Sequence, residues 1–179
     1  HQVVVVVSAM AGVTNQLVDY VNQIDDTFDP REYDSVVSTG EQSNAGLMAL
    51  AIKSLGIKSR SWLGWQIPIQ TDAIYEKARI TNIATEELTK CLAEREIVVI
   101  PGFQGISPEN RITTLGRGGS DLTAVALAGA LKADRCDIYT DVDGIYTTDP
   151  RIVNKAQKLD KITYEEMLEM ASLGSKVLQ

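Results

Sequence analysis

Hydrophobic residues in this chain fall into short runs separated by glycine-rich and polar stretches, and the runs alternate between two periods. After Gln2 the segment to residue 7 is uninterrupted valine, as in a strand covered on both faces by helices and unlike the alternation of a half-exposed strand. Small residues with a glycine fill 8–15, and Leu17, Val18, Val21 and Ile24 then recur at helical spacing, which predicts strand, tight loop and helix. A polar turn at 25–30 leads to a second helical region over 32–55, interrupted at Ser38-Thr39-Gly40, where three poor helix formers adjoin Glu41. Gly56 is placed to end it as a C-cap. Segments 59–64, 66–70 and 78–83 are short with turn residues at their edges, and read as strands or a hairpin at one rim of a sheet.

A short amphipathic helix over 85–93, with Thr85 as its N-cap, leads to a second buried strand at 96–100. A long loop over 101–119 precedes a helix at 120–131, and this feeds a strand at 136–142, a turn region to Arg151 and helical segments from 163 to 177. Repeated strand, loop and helix units imply an α/β fold with a mostly parallel sheet and helices on both sides. With no composition break, repeat or low-complexity tract, residues 1–179 read as one α/β unit.

The 179 residues are 44% hydrophobic and 23% charged, the range of ordinary globular domains. A net charge of −7 supplies no cationic field for nucleic acid or anionic lipid. The single histidine is His1, so a Ser-His-Asp triad, a Cys-His pair and a histidine-ligated metal are excluded on inventory. Cys91 and Cys136 stand far apart without a CxxC, which fits a reducing cytoplasm. The longest apolar run is far below the roughly 20 residues of a membrane span, and no basic segment precedes it.

In an open parallel sheet, ligands bind outside the carboxyl ends of the strands. The most specific segment there is Thr113-Thr114-Leu115-Gly116-Arg117-Gly118-Gly119-Ser120-Asp121, leading into an alanine-rich helix. Its glycines let backbone approach a ligand, and Ser120 or Asp121 as N-cap leaves amide donors at the positive end of the helix dipole, an anion cradle. It is neither a Walker A loop nor a GxGxxG fingerprint. A glycine turn that merely caps a helix is the bland alternative. Arg117 tilts the balance, because a guanidinium fork suits a carboxylate or phosphate. Asp121 beside phosphate oxygens implies a lysine or Mg2+ nearby. The segment from Tyr139 to Arg151 fails the EF-hand spacing at Gly144; Tyr146 and Arg151 either frame a nucleotide or flank a solvated turn. Glu41 on its own is expected to be exposed at a helix kink, or else paired with something cationic, and the solvated reading is favoured because charged residues are seldom buried.

Taken together, VVVVVSAMAGVTN, STGEQSNA, PGFQG, TTLGRGGSD, IYTDVDGIYTTDPR and YEEMLEMASLGSKVL resemble the aspartokinases of the amino acid kinase family, over nearly the whole chain. The resemblance implies a three-layer α/β/α sandwich. It also implies ATP-dependent phosphorylation of the β-carboxylate of L-aspartate to 4-phospho-L-aspartate, which opens lysine, threonine and methionine biosynthesis. Position by position it implies a substrate side of Thr14, Glu41, Phe103, Arg117, Gly118, Gly119 and Ser120, with Arg117 on a carboxylate of aspartate and Glu41 on its ammonium group. The catalytic residues it implies are Asp121, Lys176 and Arg117, with Asp121 organising lysines around the transferring phosphoryl group. The ATP side would comprise Ser8, Thr140, Asp141, Tyr146, Arg151 and Lys176. The acceptor carboxylate is already ionised at neutral pH, so no general base is required and catalysis reduces to positioning and charge neutralisation. Mg2+ would bind mainly through phosphate oxygens, since no carboxylate cage is apparent and no protein metal ligand is expected. A homodimer is expected.

Family members open with a Lys-Phe-Gly-Gly-Thr-Ser type strand that has no counterpart in these residues. The catalytic domain is therefore expected to be partial, lacking that strand and any following regulatory domains, and the isolated chain to be weakly active or inactive. Two other readings stay open: a sibling such as acetylglutamate kinase, glutamate 5-kinase or uridylate kinase, and an inactive nucleotide-binding fragment that dimerises through surfaces around Leu47 and Leu50.

Overall fold

Continuous valine and isoleucine runs can be buried only where helices cover both faces of a sheet, and this is the arrangement found in a computed structural model of the chain. It describes residues 1–25, 27–140, 144–148, 152–163, 165–167 and 169. Two compact units form, His1–Cys136 and Asp137–Gln179. The first holds β1 (Val4–Val7), α1 (Val13–Ile24), α2 (Pro30–Val37), α3 (Thr39–Ser54), β2 (Ser59–Ser61), β3 (Ile69–Thr71), β4 (Ile80–Ile83), α4 (Glu86–Ala93), β5 (Ile97–Pro101), β6 (Gln104–Ile106), β7 (Ile112–Thr114) and α5 (Gly119–Leu131).

Strands β1 and β2 both pair in parallel with β5, in the order β1-β5-β2. Alternate residues of β1 and β5 point to opposite faces. Val4, Val6, Val98 and Ile100 meet Leu88 and Leu92 of α4 and Leu127 of α5, whereas Val5, Val7, Ile97 and Val99 meet Ala45, Ala49 and Ile52 of α3. Helices on both sides of this sheet make the expected α/β/α layering. At roughly 1.5–3 kcal/mol for each fully buried large aliphatic side chain, these two faces dominate the stabilisation of the unit.

The remaining strands form a second, mixed sheet in the order β4-β3-β6-β7, with β3 and β6 parallel and the other two pairs antiparallel. The expected single sheet is thus divided. The chain leaves β2 through a turn closed by the Gln66 amide on the Leu63 carbonyl at 2.8 Å, and β3 begins only after it. The hairpin expected near 66–83 is β3–β4. Residues 101–119 are not simply a loop, because β6 and β7 form a hairpin inside them, with Asn110 at φ +58 in its turn. Three residues per strand is too short for alternation to stand out in the sequence.

Other boundaries shift for local reasons. The interruption at 38–40 is the α2–α3 junction at Ser38, and Gly56 ends the second helical region at φ +77 as expected. Ile24 is 87% exposed although it completes the helical spacing of α1, whose buried side is centred on Val21. Thr85 precedes α4 but makes no side-chain cap bond, since its own backbone is already near-helical at φ −105, ψ −3. In place of Ser120 or Asp121, the N-cap of α5 is Gly118 in the left-handed region at φ +71, so Ser120 and Asp121 fall in the first helical turn.

The strand expected at 136–142 is not formed over 136–140. A strand needs a neighbour to complete its ladder, and no ladder among the described residues includes this segment. Residues 141 and 142 lie outside the described residues. Tyr146 bridges antiparallel to Lys158. Thr163 and Glu166 form a reciprocal capping box: the Glu166 carboxylate accepts from the Thr163 amide at 2.9 Å, and Thr163 Oγ1 accepts from the Glu166 amide at 3.3 Å. Helix follows at 165–167 and 169, and 171–177 of the expected segment lies outside the described residues.

Candidate active site

The carboxyl ends of β1, β5 and β7 open into one cavity of about 690 Å3, completed by the α2–α3 junction and the turn before Ala78. Among its lining residues are Ser8, Thr14, Glu41, Phe103, Arg117, Gly118, Gly119, Ser120 and Asp121. These are all the candidates from the first unit, brought together from four separate segments. Thr140 and Tyr146 belong to the second unit. Asp141, Arg151 and Lys176 lie outside the described residues.

Glycines set the site's geometry where backbones touch. A Cβ on Gly40 would lie 2.9 Å from the Ala9 Cβ, so only glycine lets the start of α3 close against the loop after β1. That approach delivers Glu41, in the first turn of α3, to the Ala9 amide, which donates to Oε1 at 3.1 Å. Asn44 Nδ2 donates to the Ser8 carbonyl at 2.6 Å and holds the same loop. Across the cavity wall, a Cβ on Gly102 would lie 2.7 Å from the Ser120 Cα, which fixes the first turn of α5 against the end of β5.

Glu41 is not the solvated glutamate expected of a helix kink. Its residue is 4% exposed, and Oε2 is buried without a hydrogen-bond partner among the described residues. Burial pushes its carboxyl above the usual range, while the Ala9 amide works in the opposite direction. The expectation failed because the acid's environment comes from a loop 32 residues away.

The glycine loop enters α5 through Gly116 and Gly118, both left-handed at φ +76 and +71. Among the described residues no side chain caps the helix, which leaves its positive end available to an anion. Asp121 is half-buried in the first turn, and desolvation raises its carboxyl above the usual range. Phe103 adopts φ +69, a conformation unusual for a bulky residue. It is held there by the buried Thr123, whose Oγ1 accepts from the Phe103 amide at 3.1 Å and donates to the Gly119 carbonyl at 2.8 Å.

Sequence reading missed Ala9, Tyr33, Glu76, Lys77, Thr114 and Gly116 as lining residues. Thr114 and Gly116 lie inside the singled-out TTLGRGGSD segment, so that signal was available. Lys77 had none, because it sits in a polar turn with no motif. The cavity lining therefore carries two cationic residues, Arg117 and Lys77, and three acidic ones, Glu41, Glu76 and Asp121, of which Glu41 is buried.

The amino acid kinase family model matches residues 1–179. The chain belongs to the amino acid kinase family. Within it, the chain is 58% identical over 177 residues to an aspartokinase of Pseudomonas aeruginosa, covering 99% of this chain and 43% of that protein. It is 54% identical over 178 residues to aspartokinase 2 of Bacillus subtilis, covering 99% and 44%. It thus spans a little under half the length of these relatives. Among solved structures, E. coli aspartokinase III in complex with aspartate and ADP superposes with a TM-score of 0.86 at 32% identity, over 98% of this chain and 51% of that one. Aspartate kinase from Synechocystis superposes with a TM-score of 0.82 at 49% identity, over 99% and 29%. Among the described residues no helix is long and apolar enough to cross a membrane.

Proposed function

We propose that this amino acid kinase family chain carries the acceptor site and part of the donor site of an aspartate kinase, transferring the γ-phosphoryl group of ATP to the β-carboxylate of L-aspartate. The observation that carries the reading is the buried Oε2 of Glu41, without a hydrogen-bond partner among the described residues, in a cavity that Arg117 and Lys77 also line. Of the five charged residues in the lining, Arg117 and Lys77 suit the two carboxylates of a small amino diacid and the buried Glu41 suits its ammonium group, with Glu76 and Asp121 as the remaining two. An unpaired buried carboxylate is expensive, and a ligand ammonium is the partner that relieves it. The aspartokinase names of the relatives and the aspartate and ADP of the E. coli structure support the same reading.

In this reading Glu41 takes the ammonium group and Arg117 one carboxylate in a bidentate grip. The open amino end of α5, with Gly118, Gly119 and Ser120, receives anionic oxygen, while Thr14 and Phe103 bound the acceptor. Ser8 lies on the donor side, and Thr140, Asp141, Tyr146, Arg151 and Lys176 are assigned to the nucleotide. The attacking carboxylate is ionised at neutral pH, so the protein aligns it with the phosphorus and neutralises charge. No trio of His, Cys, Asp or Glu side chains among the described residues is grouped to hold a metal. Mg2+ would be carried mainly on the nucleotide's phosphates, screening their charge, while Asp121 organises cationic side chains around the transferring phosphoryl group. The protein is proposed to act as a homodimer, for which Leu47 and Leu50, 53% and 64% exposed on α3, are the apolar candidates.

The test is ATP turnover by the full protein, with hydroxylamine trapping of the acyl phosphate. Aspartate-dependent hydroxamate is expected. Turnover with N-acetylglutamate, glutamate or a nucleoside monophosphate, and none with aspartate, would assign a sibling activity instead.

A further inference from the structure

Asp34 sits in α2, outside the cavity, and is fully buried. Its carboxylate has no cationic partner among the described residues. It accepts instead from two segments that line the site. The Glu76 amide donates to Oδ1 at 3.1 Å and to Oδ2 at 3.0 Å. The Thr114 amide donates to Oδ2 at 2.8 Å, and Thr114 Oγ1 donates to Oδ1 at 2.7 Å. Both oxygens are fully used, and each reaches both segments.

Other bonds hold the flanks of the two segments: Thr114 pairs with Gln104 at the end of β7, and Asp72 Oδ1 accepts from the Arg79 amide at 3.1 Å. Glu76 is a non-glycine residue at φ +66, a backbone that persists only where its surroundings hold it. The Ala78 amide on the Thr114 carbonyl at 2.8 Å is the neighbouring tie between them. Beyond Thr114, a Cβ on Gly116 would lie 3.3 Å from the Glu76 carbonyl oxygen and 3.6 Å from the Lys77 Cβ. The turn bearing Lys77 therefore lies directly against the start of the glycine loop. Lys77 lines the cavity and makes no ion pair with another described residue. Burying a carboxylate raises a cost that a plain structural contact between α2 and β7 would not require. What the charge adds is strong acceptance from two backbone amides at once, which fixes the path of both chains.

We infer that Asp34 is a positioning residue for the site, clipping the Glu76–Lys77 turn to the root of the glycine loop so that the Lys77 ammonium is held for a carboxylate of the acceptor. This rests on the proposed aspartate site for its ligand, but the clip itself does not.

The experiment is a double-mutant cycle on aspartate affinity, measured by calorimetry on the full protein, with Asp34→Ala, Asp34→Asn, Lys77→Ala and the combination Asp34→Ala/Lys77→Ala. Asp34→Ala and Lys77→Ala should each weaken aspartate by about tenfold, and the combination should be no worse than Lys77→Ala alone, because contacting groups are not additive. Asp34→Asn, which keeps an acceptor for the two amides and can donate to Thr114 Oγ1, should recover most of the affinity. Independent losses that multiply to about a hundredfold would overturn the inference, since Asp34 would then act other than through Lys77. Amide hydrogen exchange, read without ligand, separates the two claims. Loss of protection at Glu76 and Thr114 in Asp34→Ala, restored in Asp34→Asn, is expected. Unchanged protection overturns the clip whatever the ligand proves to be. Absence of aspartate binding by the unaltered protein, with the clip intact by exchange, would defeat the acceptor assignment, and with it Lys77's role. If Asp34→Ala fails to fold, Thr114→Val, which removes only the hydroxyl bond, takes its place in the cycle.

Discussion

The Ala9 amide and the Glu41 carboxylate meet at 3.1 Å, and this bond occupies one oxygen of an acid whose other oxygen is buried and unmatched. The contact exists because Gly40 lets two backbones close to a distance that any side chain would block. A protein that leaves a buried carboxylate half-satisfied gives up stability where a ligand can restore it.

Glu41→Gln should therefore stabilise the empty protein while impairing it. Burial raises the folded carboxyl above its unfolded value, so the penalty is absent below the unfolded pKa and complete above the folded one. Stability accordingly falls as pH rises through that window, and the substitution removes the loss above it. A gain of about 1 kcal/mol, roughly 2–4 °C in melting temperature for a domain of this size, is expected at neutral pH and should vanish in acid. Aspartate affinity of the unaltered protein should weaken as pH falls through the same raised value. Melting curves and titrations across pH check both signs.

Arg117→Lys should not substitute for the guanidinium. A lysine keeps the charge but loses the fork, and a loss of about 10- to 100-fold in aspartate affinity is expected, with ATP affinity changed far less. Comparable weakening of both ligands would place Arg117 on the phosphate side.

Two glycine-to-alanine changes should have opposite signs. Gly102→Ala puts a Cβ 2.7 Å from the Ser120 backbone and should cost about 1–3 kcal/mol, with loss of activity. Gly46→Ala, within α3 and with nothing within 4 Å of the new Cβ, should gain about 0.5–1 kcal/mol and leave the site unaltered. Urea midpoints of the two variants provide the check.

The parts of this site that were legible in the chain are those whose chemistry is local. The glycines around Arg117 declare a backbone that must approach something, and the valine run declares a doubly covered strand. The family resemblance pointed to Glu41, but its local pattern pointed to a solvated acid, because its burial depends on Ala9 in another element. Lys77 and Asp34 left no pattern at all. The Asp34–Thr114 contact spans 80 residues, and neither residue type is unusual where it stands. The β6–β7 hairpin escaped for a different reason: its strands are three residues each, too short to carry a period.

The central claim is that Glu41 waits for an ammonium group in a site built for a diacid. Calorimetric titration of L-aspartate and of succinate, which differs by lacking the amino group, into the unaltered protein and Glu41→Gln tests it most directly. Aspartate should bind the unaltered protein at least about tenfold more tightly than succinate, and Glu41→Gln should bring the ratio towards one. Equal binding of the two ligands by the unaltered protein, or an unchanged preference in Glu41→Gln, would contradict it.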